Sequence, residues 1–331
     1  MNYLVSGATG FIGSHLVEAL VKGKKQVRVL VRKTGNITRL KQLKVEICYG
    51  SLEDEKSLMK AVENVDIIFH CAAKVSDWGK RKEFFATNVT GTRNLIDAAL
   101  EGKIKRFIHI SSSDVYGFLN QENVTENHIP RKRSFPYTES KQEAERLVWH
   151  YIKERQLPAT ILRPPSVYGP GSISLVKDFV DYIQEGKMML IRGGKVIAGL
   201  CYIGNLVDAL ILAGQNKQCV GKAYNVSDGT KISWKTYVDS LCRMLGKKPV
   251  KVSIPYPLAY GTGMLMEIIW GILRLKSRPL LTRMAAALLG THQGLSIEKA
   301  REELGYDPKI DFTEGMRLTG EWLKEAGYPI R

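Results

Sequence analysis

Residues 3 to 16 run from a short apolar strand, Tyr3 to Val5, through Gly7, Gly10 and Gly13 into an amphipathic helix. Each glycine meets a steric need. One lets the chain turn tightly off the strand, one lets backbone approach a pyrophosphate, and one lets the helix pack on the sheet. Thr9, Phe11 and Ile12 fill positions between and beside them. The helix opens with unpaired N–H groups and the positive end of its dipole, which stabilises a phosphate there. Strand, glycine turn and helix at the head of the chain therefore point to dinucleotide binding. Because the first strand begins at Asn2-Tyr3, no leader peptide is expected.

The same alternation continues. Strands are expected at Gln26 to Val31, Val45 to Tyr49, Asp66 to Phe69, Arg106 to Ser111 and Ala159 to Leu162, and helices at Phe84 to Leu100 and Pro136 to Gln156. Strands that are apolar nearly throughout belong to a parallel sheet covered on both faces. Beyond Arg163-Pro164-Pro165 the pattern loosens. A turn is expected at Tyr168 to Gly171, a helix from Ser174 to Glu185, a strand from Val196 to Tyr202 and a helix from Asn205 to Leu212. Ala223 to Val226 reads as a strand returning to the sheet, Ser233 as the N-cap of a helix from Trp234 to Leu245, and Gly305 as the end of a helix opened by Ser296. The expected fold is α/β, a Rossmann-type doubly wound parallel sheet with a smaller, mostly helical C-terminal substrate lobe. Residues 1–165 form the dinucleotide domain and 166–331 most of the lobe, with a strand and helix near 196–226 returning to the first domain.

Net charge of +16 raises nucleic acid and anionic lipid as partners. The basic residues are scattered in short groups, such as Lys22-Lys24-Lys25, Lys80-Arg81-Lys82 and Arg131-Lys132-Arg133, with no basic-aromatic motif, so no nucleic-acid partner is expected. The five cysteines, Cys48, Cys71, Cys201, Cys219 and Cys242, are odd in number and lack a Cys-x-x-Cys pair; free thiols, a cytoplasmic setting and no metal site are expected. Pro257 to Leu273 is strongly apolar, interrupted only by Glu267 and followed by Arg274, Lys276 and Arg278. It falls short of the ~20 clean residues of a membrane span. Two readings stand: a buried helix lining the substrate lobe, or a helix lying in a membrane surface, to which Trp270 and the trailing basic residues are suited.

Tyr137 and Lys141 are four apart on the helix that Pro136 opens, so they share a face. A phenol with an ordinary pKa near 10 is a poor acid–base group at neutral pH. An adjacent ammonium favours the phenolate, which can then exchange a proton with a carbonyl or carbinol oxygen as hydride moves to or from a nicotinamide. Ser111-Ser112-Ser113 sits at the C-terminal end of the fifth strand, where open parallel sheets bind ligands. A hydroxyl there can hold the reacting oxygen.

These residues stand within Gly-Ala-Thr-Gly-Phe-Ile-Gly at 7–13, His-Cys-Ala-Ala at 70–73, Asn-Val-Thr-Gly-Thr at 88–92, Ser-Ser-Ser-Asp-Val-Tyr-Gly at 111–117, Tyr137 with Lys141, and Arg-Pro-Pro-Ser-Val-Tyr-Gly-Pro at 163–170. Over nearly its whole length the chain resembles an extended short-chain dehydrogenase/reductase of the NAD-dependent epimerase/dehydratase superfamily. The resemblance implies Tyr137 as acid–base, Lys141 as its partner and ribose ligand, and Ser112 as the oxygen-orienting residue, with Ser113 as fallback. It implies a cofactor cleft lined by Gly7, Thr9, Gly10, Phe11, Ile12, Gly13, Ser51, Leu52, Ala72, Ala73, Lys74, Asn88, Ser111, Pro164 and Val167. Asn88 is as well read as structural. A homodimer through the helices near 84–100 and 136–156 is also implied. His15, His70 and His109 are read as packing residues.

Within the superfamily, Ser113-Asp114 lacks the full Asp-Glu pair of dehydratases, and the place of a diphosphate-binding arginine falls near Ala198, leaving Arg192 to compensate. The tail, with Pro279 to Arg283, Ser296 to Ala300 and Leu304-Gly305-Tyr306, resembles the 3β-hydroxysteroid dehydrogenase and dihydroflavonol reductase-like branch. That branch implies a lipophilic sterol-, hopanoid- or flavonoid-like alcohol or ketone as substrate. Arg32-Lys33 at the end of the second strand favours NADP(H) over NAD(H). The alternatives are a nucleotide-sugar 4-epimerase with bound NAD and a non-catalytic NAD(P)-sensing scaffold.

Overall fold

A computed structural model describes residues 1–132 and 134–330. Arg133, in one of the basic groups above, and Arg331, the last residue of the expected lobe, lie outside the described residues. In chain order the first half contains β1 (Asn2–Ser6), α1 (Phe11–Lys22), β2 (Gln26–Val31), α2 (Thr38–Lys41), β3 (Glu46–Tyr49), α3 (Glu55–Val62) and β4 (Ile67–His70). It continues with α4 (Arg81–Phe85), α5 (Gly91–Glu101), β5 (Arg106–Ile110), β6 (Gln121–Val124), α6 (Pro136–Arg155) and β7 (Ala159–Arg163). The second half adds β8 (Ser166–Tyr168), α7 (Asp178–Gln184), β9 (Leu190–Ile191), β10 (Leu200–Tyr202), α8 (Ile203–Gln215), β11 (Lys222–Asn225), α9 (Trp234–Met244) and β12 (Ser253–Ile254). It ends with α10 (Tyr256–Ile272), α11 (Arg283–Gly290), β13 (Gln293–Leu295), α12 (Glu298–Leu304) and α13 (Phe312–Glu325).

Seven parallel strands form the main sheet in the order β11-β7-β5-β4-β1-β2-β3. Side chains alternate between two apolar layers, as the pleat requires. Tyr3, Val5, Val29 and Phe69 face the layer containing Leu16, Leu20, Leu206 and Leu210 of α1 and α8. Leu4, Leu30, Ile68 and Phe107 face the layer with Leu58, Leu95 and Val148 of α3, α5 and α6. The sheet is therefore covered on both faces, and its C-terminal edge is left to Ser6, Val31, Tyr49, His70, Ile110 and Arg163. Local chemistry sets the ends of helices: Asp54 accepts from the Ser57 N–H at the start of α3, Pro136 opens α6, Ser233 caps α9, and Gly305 closes α12 at φ 68°.

The structure departs from the sequence expectation in four places. The helix expected over 84–100 begins at Arg81 and carries a π turn over 86–90, which turns Asn88 inward. The helix expected from Ser174 likewise opens with a π turn over 173–177. The strand expected over 196–202 shrinks to Leu200–Tyr202 and pairs with β8 outside the main sheet. Its first half cannot continue, because Gly199 takes φ +59° and packs so tightly that a Cβ there would lie 2.2 Å from the Gln293 carbonyl oxygen. Finally, α10 is not a buried lobe helix: only Ala259 and Gly263 are buried along it. No helix among the described residues is long and apolar enough to cross a membrane.

Candidate active site

The glycine loop lies at the mouth of the sheet. Gly7 turns off β1 at φ +70°, and a Cβ there would meet the Ala72 nitrogen at 2.6 Å. A Cβ on Gly13 would lie 2.2 Å from the Gly7 carbonyl oxygen, so α1 seats directly on the turn. Thr9 and Gly10 are exposed, and no side chain caps α1 at Gly10. The first N–H groups of this helix, on Phe11 and Ile12, thus face outward as anion donors. The turn at 168–171 closes beside them, where the His15 ring meets the Pro170 carbonyl at 2.8 Å and Phe11 at a 5.6 Å centroid distance.

Further along the edge, the turn after β2 brings Gly35 beside Thr9, and Arg32 and Lys33 are exposed with no ion-pair partner among the described residues. Ser51 is half-buried after β3; Leu52 is buried in the core and its carbonyl accepts from Asn94 at 2.8 Å. After β4, Ala72 abuts the glycine loop and Ala73 follows it. Buried Asn88 accepts from the Lys74 N–H at 2.7 Å and donates to the Lys74 carbonyl at 3.0 Å and to Ser140 Oγ at 2.9 Å. Ser140 in turn donates to the Tyr137 carbonyl. Asn88 therefore ties the loop after β4 to the helix that carries Tyr137.

Tyr137 and Lys141 are carried on α6, and Lys141 reaches the end of β5. The Ser112 hydroxyl neighbours the Tyr137 phenol, and Ser112 also accepts from the Asp114 N–H at 3.1 Å. Ser113 donates its N–H to the Pro164 carbonyl at 2.9 Å, and Val167 stands in β8. The hydroxyl of Ser111 points elsewhere, donating to Glu145 at 2.6 Å, so of the three serines it is Ser112 that meets Tyr137. Lys141 Nζ donates to the Ile110 carbonyl at 2.6 Å.

The electrostatics correct one expectation. The lysine was expected to acidify the phenol, yet burial pushes Tyr137 well above its ordinary range, the Asp114 carboxylate adds to this, and only the Ser112 hydrogen bond opposes it. Burial pushes Lys141 down to about 8, against the opposing pull of Glu145, Asp114 and Cys71. Asp114 itself is pushed up to about 6 by burial. Tyr137 is thus held protonated at neutral pH, ready to donate. One wall of the site is apolar: Phe84, Phe118, Phe135, Met284 and Ala287 cluster with Tyr137, with the Phe84 ring 6.4 Å from it.

The family model for the NAD dependent epimerase/dehydratase family matches residues 3–227. The chain belongs to that family. It is 32% identical to a 2-alkyl-3-oxoalkanoate reductase of Stenotrophomonas maltophilia, over 96% of this chain and 98% of the relative. It is 29% identical to the decarboxylating sterol-4-alpha-carboxylate 3-dehydrogenase of Mus musculus, over 95% and 89%. A crystal structure of UDP-glucose 4-epimerase from Thermotoga maritima superposes with a TM-score of 0.80 at 24% identity, covering 98% and 99%, and shares the fold. The chain is an extended short-chain dehydrogenase/reductase, an oxidoreductase-type enzyme of an NAD-dependent family.

The residues present fit such a dinucleotide: the uncapped start of α1 is offered to a pyrophosphate, and a Cβ at Gly7 or Gly13 would force the loop apart. Among the described residues no cluster of side chains could hold a metal ion. Sequence reasoning missed a buried network beneath the family's serine and lysine. Arg163 Nε donates to both oxygens of Glu145 at 3.1 Å, Arg163 Nη1 donates to the Tyr116 hydroxyl at 2.7 Å, and that hydroxyl donates to Asn225 at 2.8 Å. The pointer was present in the spacing of Tyr137, Lys141 and Glu145, each four apart on one helical face. Of the histidines read as packing residues, His70 bridges Ser6 and Thr92 at 2.8 Å each, while the His109 ring nitrogens have no hydrogen-bond partner among the described residues. Arg192 is exposed and donates to the Gly290 carbonyl, and buried Ala198 occupies the place of a diphosphate-binding arginine.

Proposed function

We propose that the protein is an NADP(H)-dependent oxidoreductase that interconverts a ketone and a hydroxyl on a lipophilic substrate. The reading is carried by one observation: the Tyr137 phenol, beside the Ser112 hydroxyl, sits against an apolar wall of Phe84, Phe118, Phe135, Met284 and Ala287. When bound, the nicotinamide supplies or accepts hydride. Ser112 orients the reacting oxygen, Tyr137 gives that oxygen its proton in the reductive direction, and Lys141 offsets the charge left on the phenol. Two relatives named for a 3-oxoalkanoate and for a 3-dehydrogenation next to a 4-carboxylate share a chemical pattern, an oxygen function with a carboxylate two carbons away on an apolar frame. That pattern is our preferred substrate class.

The test is an assay of the full chain with NADP+ and a long-chain 2-alkyl-3-hydroxy acid, beside the same chain with UDP-glucose. Reduced nicotinamide should accumulate with the hydroxy acid, and UDP-galactose should not form. Formation of UDP-galactose without net reduction of the cofactor would make the protein a sugar epimerase.

Arg32 supports the cofactor preference, being exposed at the end of β2, in the turn whose Gly35 lies beside Thr9, where a 2′-phosphate would lie. Losing charge-assisted hydrogen bonds worth about 1.5–3 kcal/mol, Arg32→Asp should raise the KM for NADPH about 10–100-fold. Its KM for NADH should change far less. Equal losses for both cofactors would take the phosphate from Arg32.

The Lys141 value gives the pH dependence. Its charged form, present below about 8, is lost as pH rises through that value. Because kcat/KM reports ionisations of the free enzyme, ketone reduction should decline above pH 8. An alkaline limb near the ordinary lysine pKa of about 10.4 would contradict the assignment.

A further inference from the structure

The face of α10 turned to solvent is apolar from end to end. Leu258, Leu265, Ile268, Ile269 and Ile272 recur at helical spacing and are all exposed, Ile272 at 74%. The arrangement inverts the usual surface helix. The one charged residue of α10, Glu267, faces the protein, where it accepts from the Arg283 N–H at 2.7 Å and from Arg283 Nε at 2.6 Å. A stripe of this length, about 25 Å at 1.5 Å per residue, marks an interaction surface.

Charge identifies what it meets. From Lys247 to Arg278, Glu267 is the only acidic residue. Lys247, Lys248 and Lys251 are exposed before the helix, and Arg274 and Lys276 are exposed after it. Arg278 is not among the available charges, because it is held by Asp77 and Tyr182. A second copy of this chain is a poor occupant. Two-fold pairing of antiparallel helices would set the lysines of one copy against Arg274 and Lys276 of the other. An apolar stripe with basic residues at both ends matches an anionic lipid bilayer.

We propose that the protein docks on anionic membranes through the outer face of α10, lying in the interface without crossing it. The inner face leads to the reaction. Tyr260 of α10 and Leu288 of α11 pack on the apolar cluster that holds Phe84, Met284 and Tyr137. A lipophilic substrate leaving the bilayer along α10 therefore meets the apolar wall of the cleft. This second step rests on the function proposed above; the docking does not.

The experiment is vesicle co-sedimentation of the full chain without substrate, using phosphatidylcholine alone and phosphatidylcholine with phosphatidylglycerol. The chain should bind the anionic vesicles and be released by salt. The triple variant Leu265→Glu, Ile268→Glu, Ile272→Glu should partition at least about tenfold less. Arg274→Gln with Lys276→Gln should lose binding to anionic vesicles while its thermal unfolding is unchanged, and Tyr137→Phe should bind as the parent does. Failure of the parent to bind anionic vesicles, undiminished binding of the triple variant, or a homodimer that the triple variant dissociates would each overturn the docking. Binding with no turnover of any hydroxy acid would overturn the substrate step alone.

Discussion

Tyr137→Phe should lower turnover by about 10²–10⁴-fold, the range for removal of a positioned general acid, while leaving cofactor affinity and thermal stability near those of the parent. The aromatic ring does the packing at this position, against Phe84 and within the cluster of Phe118, Phe135, Met284 and Ala287. Phenylalanine preserves that packing and deletes only the hydroxyl. The hydroxyl is the best-placed proton donor, since it lies beside Ser112 and burial keeps it protonated. Ser112 has an ordinary hydroxyl, and Asp114, pushed up to about 6, is mostly ionised at neutral pH. Neither is a ready substitute donor. The measurement is kcat for reduction of a 2-alkyl-3-oxo acid beside a fluorescence titration with NADPH. Turnover within a few-fold of the parent would remove Tyr137 from the chemistry. A loss confined to KM would make it a binding residue only.

What could be read from the residues was what depends on neighbours in the chain. The glycine turn was legible because its spacing lies within one strand-turn-helix unit, where Gly13 must clear the Gly7 carbonyl; that Gly7 must also clear Ala72, from the loop after β4, only the fold shows. The main strands were legible because each gathers two to four apolar residues within a span of four to six. Tyr137 and Lys141 share a face by spacing alone. By contrast, β9 and β12 have two residues each, and β6 pairs with β13 from the far end of the chain, so neither pairing leaves a periodic mark. The acidified phenol failed for a related reason. Helical spacing puts Lys141 near Tyr137, but only the fold shows its amine bonded to the Ile110 carbonyl and Asp114 beside the phenol. In α10 the apolar run was legible and its direction was not, because an inward Glu267 depends on Arg283, sixteen residues away.

The second large effect concerns the network under the site. Glu145→Ala should destabilise the protein by about 3–5 kcal/mol, the cost of leaving one partner of a buried ion pair uncompensated. The Arg163 and Glu145 side chains are only 8% and 7% exposed, so water cannot replace the carboxylate. Arg163 would keep the Tyr116 hydroxyl and the Glu126 carbonyl, two neutral acceptors, and Ser111 would lose its acceptor as well. At about 2.1 cal/mol/K of unfolding entropy per residue, a chain of 331 residues shifts by about 1.4 °C per kcal/mol, so the unfolding midpoint should fall roughly 4–7 °C. Removing both charges, as Glu145→Leu with Arg163→Met, should recover much of this, because the desolvation penalty leaves with the second ion. Lys141, one turn before Glu145 on α6, adds a functional readout: the carboxylate raises its pKa, so in Glu145→Ala the alkaline limb of reduction should move below pH 8. Thermal unfolding of the two variants and a pH profile of the single one decide the matter. A midpoint unchanged in Glu145→Ala, or a double variant no more stable than the single, would mean that the pair does not hold α6, which carries Lys141, against the strand ends beside Ser112.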